Sequence, residues 1–211
     1  MAKRFDLLIF DWDGTLMDSA GVIAACIRPA GQGVAGAQPR EPGIIGLACA
    51  GPGNPVPACR RQASTLADHY RRHFLGRMRK SLFEGARTDR RSARRGHLLA
   101  VATGKARRGL DRAFEHTGLK PLFHASRTAD ETFSKPHPAM IEELLDELMI
   151  APERALMIGD TTHDLEMARN AGIASLAAGY GAHPPEGLTE HGALVVCHSF
   201  AELAAWLRDN A

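Results

Sequence analysis

A chain of 211 residues, 45% hydrophobic and 24% charged, is long enough for one full α/β core or for a core carrying a modest insertion. It holds no run of about 18 apolar residues that could span a bilayer, and its four cysteines (Cys26, Cys49, Cys59, Cys197) follow neither a zinc spacing nor a persuasive disulfide framework. The net charge of +2 conceals a segment of +9 between Arg60 and Arg95 and −7 elsewhere. Few aromatics interrupt that segment, so it reads as a solvated face or a field drawing anions to a nearby site, and no nucleic acid is expected.

In chain order, the basic start Met1-Ala2-Lys3-Arg4 is followed by only about six apolar residues before Asp11, too few for the apolar region of a leader. A reducing cytoplasm is the expected location. Leu7-Leu8-Ile9-Phe10 predicts a short buried strand that runs directly into Asp11-Trp12-Asp13-Gly14-Thr15-Leu16. In open α/β sheets ligands bind at the carboxyl ends of the strands. Residues two apart on an extended chain point the same way, so Asp11 and Asp13 repel unless something positive lies between them. Mg²⁺ suits such hard oxygen ligands.

Residues 28–62 break the pattern. Seven Gly and six Pro fall among these 35 residues, which penalises helix interiors and reads as irregular chain. Helical periodicity is confined to 20–27 before them and 64–78 after them. The segment 84–95 offers almost no apolar face.

From His97 the chain alternates. Leu98-Leu99-Ala100-Val101-Ala102 predicts a strand buried on both faces, followed by a helix over 105–116 stopped at Gly118. Leu122-Phe123-His124-Ala125 reads as a short strand, 138–149 as a helix behind an early Pro, and Ala155-Leu156-Met157-Ile158 as another buried strand. A helix over 165–171, strands at 173–177 and 194–196, and a closing helix over 200–207 complete the series. Such alternation predicts a Rossmann-like parallel sheet with helices on both faces.

Three further strand exits carry reactive polar groups: Thr103-Gly104 offers a hydroxyl and a free N–H, Lys135 sits in the rigid turn Ser134-Lys135-Pro136-His137-Pro138, and Asp160 is followed four residues on by Asp164. Each alone has an ordinary explanation as a turn, a solvated lysine or a helix cap. Their occurrence in this order, each after a strand, does not.

With Asp11-Trp12-Asp13-Gly14-Thr15-Leu16, Thr103, Lys135, and Asp160 with Asp164, the chain resembles the haloacid dehalogenase superfamily of phosphohydrolases over 5–27 and 97–208, and within it the phosphoglycolate-phosphatase-like branch. The resemblance implies a core of 1–17 and 83–211 with a small helical cap, 18–82, inserted after the first strand and here degraded over 28–62. It implies Asp11 as nucleophile, Asp13 as general acid and base, and Thr103, Gly104 and Lys135 as the phosphate-binding groups. Mg²⁺ is implied between the phosphate and Asp11, with the Asp13 carbonyl, Asp160 and Asp164 in support. The expected activity is hydrolysis of a small phosphorylated metabolite such as 2-phosphoglycolate, by a monomer or homodimer without membrane partners. Dehalogenation is not expected, because it needs no acid at Asp13. Two alternatives share the motifs: a phosphosugar mutase of the β-phosphoglucomutase type, and a non-catalytic or partner-dependent member with an impaired cap.

Overall fold

The computed structural model describes residues 3–19, 82 and 96–211. The helices expected at 20–27 and 64–78, the irregular stretch 28–62 and the charged segment 84–95 lie outside the described residues. Six strands form one parallel sheet: β1 (Leu7–Phe10), β2 (Leu98–Thr103), β3 (Ala125–Thr128), β4 (Ala155–Gly159), β5 (Ala174–Ala178) and β6 (Val196–Cys197), in the order β3-β2-β1-β4-β5-β6. Five helices accompany them: α1 (Arg107–Thr117), α2 (Ala139–Leu148), α3 (Thr162–Asn170), α4 (Pro185–Glu190) and α5 (Phe200–Asn210). No helix among the described residues is long and apolar enough to cross a membrane.

The continuous apolar run of β1 follows from its place at the centre of the sheet, covered on both faces. Successive side chains of a strand point to opposite sides, and the two hydrophobic clusters divide accordingly. Leu8 and Phe10 pack with Leu110, Phe114, Leu203 and Leu207 of α1 and α5, whereas Leu7 and Ile9 pack with Met140, Ile141, Leu144 and Met167 of α2 and α3. The alternation carries on into Trp12, which is fully buried and meets Phe114 edge-on at 5.1 Å between ring centres.

Two local expectations are corrected. The strand expected at Leu122-Phe123-His124-Ala125 lies three residues later, as β3, and Lys120–Leu122 is a 3₁₀ turn with Pro121 in its first positions. The apolar side chains that suggested a strand serve the core instead: Phe123 packs on Phe10, Trp12 and Phe114. Likewise α3 begins at Thr162 rather than at Leu165, because Thr161 and Asp164 form a capping box that satisfies its first N–H groups.

At the amino-terminal edge, away from the strand exits, a bidentate pair ties β1 to the turn before β4. Arg154 donates from Nε to Asp6 Oδ2 (2.7 Å) and from Nη2 to Asp6 Oδ1 (3.0 Å), while Asp6 N donates to Arg154 O (2.7 Å). The Arg154 guanidinium, with help from Lys3, holds the Asp6 carboxyl down at about 2. A lowered folded value contributes stability that is present above the unfolded value near 4 and lost as pH falls toward about 2. The pair is a third exposed, so solvent screens it and its contribution is small. Thermal melts between pH 5 and 2 should show Arg154→Ala losing less stability on acidification than the wild type. An identical pH slope in both would dismiss the pair as a source of stability.

Candidate active site

Three central strands deliver two acids and a hydroxyl to the site. In register, Phe10 lies opposite Val101 of β2 and Ile158 of β4, so Asp11, Thr103 and Asp160 emerge one, two and two residues beyond a common level. Asp11 N still donates to Ile158 O at 2.9 Å, extending the ladder to the site. The chain then turns over 12–17: Gly14 N donates to Met17 O (2.9 Å) and Met17 N to Trp12 O (2.9 Å). Gly14 takes φ +80°, a conformation that L side chains rarely adopt.

Asp11, Asp160 and Asp164 are buried, and each offers a carboxylate oxygen within 4.8 Å of the other two. Lys135, delivered by the turn before α2, places Nζ 2.9 Å from Asp11 Oδ1 and 2.6 Å from Asp164 Oδ1. It meets them as an ion pair rather than through well-directed hydrogen bonds, since both oxygens are buried without a hydrogen-bond partner. Burial pushes the Asp11 carboxyl up to about 6, against the pull of Lys135 and with the push of Asp164. Asp160 is driven well above the usual carboxylate range by burial and then by the charges of Asp11 and Asp164. Burial works against the Lys135 ammonium as well, but the two carboxylates overcome it and hold its affinity for the proton above the ordinary value.

These residues fit a divalent cation. The donors are all carboxylate oxygens, the set that Mg²⁺, Ca²⁺ and Mn²⁺ prefer. Three carboxylates against one ammonium leave two negative charges for the cluster, which a divalent ion would neutralise.

Each acid has its own support. Asp160 Oδ1 accepts from Thr15 Oγ1 (2.8 Å) and Oδ2 from Ala182 N (2.8 Å), while Tyr180 donates to the Thr15 carbonyl at 3.0 Å. Burial and the Asp160 charge together raise the Tyr180 phenol, so it stays a donor. Asp164 divides its carboxylate: Oδ2 accepts from Thr161 N (3.0 Å) and Thr161 Oγ1 (2.7 Å) in the α3 cap, and Oδ1 faces Lys135. Helix cap and site member are here one residue.

Asp13 stands apart from this cluster. Its Oδ1 accepts from Ser19 Oγ at 2.5 Å, and Lys105 Nζ lies 2.8 Å from its Oδ2. The repulsion foreseen between Asp11 and Asp13 is thus met by two lysines, one for each carboxylate. Thr103 is buried at the end of β2, and its Oγ1 accepts from Lys105 N at 3.2 Å. Gly104 follows it, half-buried, in the turn to α1. Sequence reading found Asp11, Asp13, Thr103, Gly104, Lys135, Asp160 and Asp164 but passed over Thr15, Ser19, Lys105 and Tyr180. Of these, Thr15 lies within the first motif and Lys105 directly follows Thr103-Gly104.

Asp160 also depends on two missing side chains. A Cβ at Gly14 or at Gly181 would overlap the Asp160 carboxylate. Gly14→Ala therefore meets both the positive φ and the buried acid, and should cost about 2–4 kcal/mol in denaturant unfolding. Any variant that folds should have lost most activity, because Asp160 must move. A Gly14→Ala protein of native stability and rate would show that the turn is not confined as described.

Residues 58–178 match the haloacid dehalogenase-like hydrolase family. A 5'-nucleotidase of Pseudomonas aeruginosa is 30% identical over 222 residues, covering 99% of this chain and 98% of its own. A Mycobacterium tuberculosis protein named tyrosine-protein kinase PtkA is 31% identical over 205 residues, covering 92% and 68%. The phosphoglycolate phosphatase of Rhodospirillum rubrum is 34% identical over 116 residues, covering 54% and 48%. Among solved structures, a haloacid dehalogenase-like hydrolase of Streptococcus pneumoniae superposes with a TM-score of 0.77 at 23% identity, over 96% of this chain and 98% of that one. The fold is a Rossmann-like α/β layer with an acidic site at the carboxyl edge of its parallel sheet. The chain belongs to the haloacid dehalogenase-like hydrolase family.

Proposed function

We propose that the chain is a Mg²⁺-dependent phosphomonoesterase that acts on a small phosphorylated metabolite through an aspartyl-phosphate. The observation that carries this reading is the buried cluster of Asp11, Asp160 and Asp164 around the Lys135 ammonium, which leaves room in its charge for one divalent ion. Asp11 attacks phosphorus and expels the leaving group, splitting one difficult displacement into two. Asp13 protonates the departing alkoxide and then takes a proton from the water that opens the intermediate. Thr103, the Gly104 N–H and Lys135 hold the transferring oxygens, whose charge grows at the transition state. Asp11, the Asp13 carbonyl, Asp160 and Asp164 would hold Mg²⁺, which would neutralise negative charge on the transferring phosphoryl group. The division into a core of 1–17 and 83–211 and a cap of 18–82 belongs to this reading, with the cap supplying contacts to the leaving group.

The test is phosphate release from a panel of phosphorylated metabolites, nucleoside monophosphates and 2-phosphoglycolate among them, with Mg²⁺ and with chelator. Release should need the metal and return when Mg²⁺ or Mn²⁺ is restored. Full activity in chelator, or isomerisation of a sugar phosphate without phosphate release, would overturn it.

A further inference from the structure

We propose that Lys105 is a positioning residue for Asp13: its ammonium fixes one carboxylate oxygen while Ser19 fixes the other, so that the acid is aimed before substrate arrives. The inference rests on the phosphohydrolase reading above, in which Asp13 is the general acid and base.

The geometry is that of a two-point clamp. Lys105 Nζ stands 2.8 Å from Asp13 Oδ2, and Ser19 Oγ donates to Asp13 Oδ1 at 2.5 Å. The side chain of Lys105 is only 10% exposed and that of Asp13 only 20%, so water screens the pair weakly. Ser19 is fully buried. The backbone of Lys105 is itself held on both sides: its N–H donates to Thr103 Oγ1 at 3.2 Å, and its carbonyl accepts from Ala129 N at 3.0 Å. A long, flexible lysine is therefore anchored at its root, one residue before the cap of α1, and ends on the carboxylate.

Asp13 needs such a device more than Asp11 does. Asp11 continues the β1 ladder, whereas Asp13 lies inside the turn over 12–17, beyond the last strand residue. A carboxylate has about four lone-pair directions. With one on each oxygen taken by Ser19 and Lys105, a second on each is open to receive or give the proton in transit. As the phosphorus–oxygen bond breaks and the Asp11–phosphorus bond forms, Asp13 gives its proton to the leaving oxygen. It takes one back from the water that attacks phosphorus in the second step. Lys105 forms and breaks no covalent bond in either step.

The experiment uses the full chain with Mg²⁺ and compares kcat/KM for an alkyl phosphate, whose leaving group needs an acid, with that for p-nitrophenyl phosphate, whose leaving group needs little help. General acid catalysis contributes about 100-fold or more, so misaiming the acid in Lys105→Met should cost the alkyl ester at least about tenfold more than the aryl ester. Lys105→Gln, which keeps a polar side chain, should show the same selectivity. Added to Asp13→Asn, Lys105→Met should change the residual alkyl rate by less than about twofold, because an interaction already removed cannot be lost again. Equal losses on both esters, or a further large loss in the Asp13→Asn background, would mean that Lys105 holds the phosphate or the fold, and would overturn the proposal alone. A wild type that releases phosphate from neither ester overturns the phosphohydrolase reading and this proposal with it.

Discussion

Asp11→Asn should fall more than about a thousandfold in kcat while keeping its fold, because the substitution removes the attacking oxygen and conserves the shape. The side chain is buried, and its carboxyl is already pushed up to about 6 chiefly by that burial. A neutral amide costs less to bury than a carboxylate, so the variant should melt no lower than the wild type. Lys135 keeps Asp164 as a partner at 2.6 Å, which prevents the change from leaving an unpaired buried cation. Phosphate release, melting temperature and the intact mass of enzyme quenched during turnover measure all three parts. The wild type should carry a phosphoryl adduct that the variant lacks. A variant retaining a tenth of the rate would rule out the aspartyl-phosphate route.

Asp160→Asn should behave differently: in chelator it should be more stable than the wild type, by about 1–3 kcal/mol. Asp160 is fully buried beside Asp11 and Asp164, and its present partners are Thr15 Oγ1 and Ala182 N. Asparagine reproduces both contacts, accepting from Ala182 N and donating to a rotated Thr15 hydroxyl, while removing one of three crowded charges. The wild type should gain stability on adding Mg²⁺, by about 2.7 kcal/mol at a hundredfold excess over Kd, and the variant should gain little.

The pH dependence has a defined sign. A carboxyl raised on folding binds more protons folded than unfolded, so metal-free stability falls as pH rises from the unfolded value near 4. For Asp11 the fall extends to about 6. Loss of Asp160 should make the slope shallower. Melts in chelator from pH 4 to 7 measure it. A variant that melts below the wild type in chelator, or still shifts fully with Mg²⁺, would remove Asp160 from the metal set.

What could be read without coordinates was decided by where the chemistry lies along the chain. The strands β1, β2 and β4 announce themselves as unbroken apolar runs because helices cover both faces, and the reactive groups follow directly at their ends. Asp11, Thr103 and Asp160 were legible for that reason. Strand β3 was misplaced because Ala125-Ser126-Arg127-Thr128 has one buried apolar side chain, and its neighbour Phe123 draws attention to itself by packing in the core. Lys105 could not be connected to Asp13 from spacing, since the two lie 92 residues apart in the chain. Only the adjacency of β1 and β2 brings Lys105 within reach. Thr161 and Asp164 show the converse difficulty. Their pattern fits a helix start and a metal site equally well, and Asp164 both caps α3 and joins the buried carboxylates.

That double employment governs what residue 164 can become over evolutionary time. An amide there could still accept from Thr161 through its oxygen, but would turn its NH₂ toward the Lys135 ammonium, a donor against a donor. Serine or threonine could serve the helix start but would surrender the charge that balances Lys135. A glutamate would add a methylene where the present Cβ already lies so close to Gly159 that even an alanine there would collide with it. Every single step away from aspartate is therefore a loss on at least one of two independent counts, and the position is confined to one amino acid by geometry before any demand of catalysis is added.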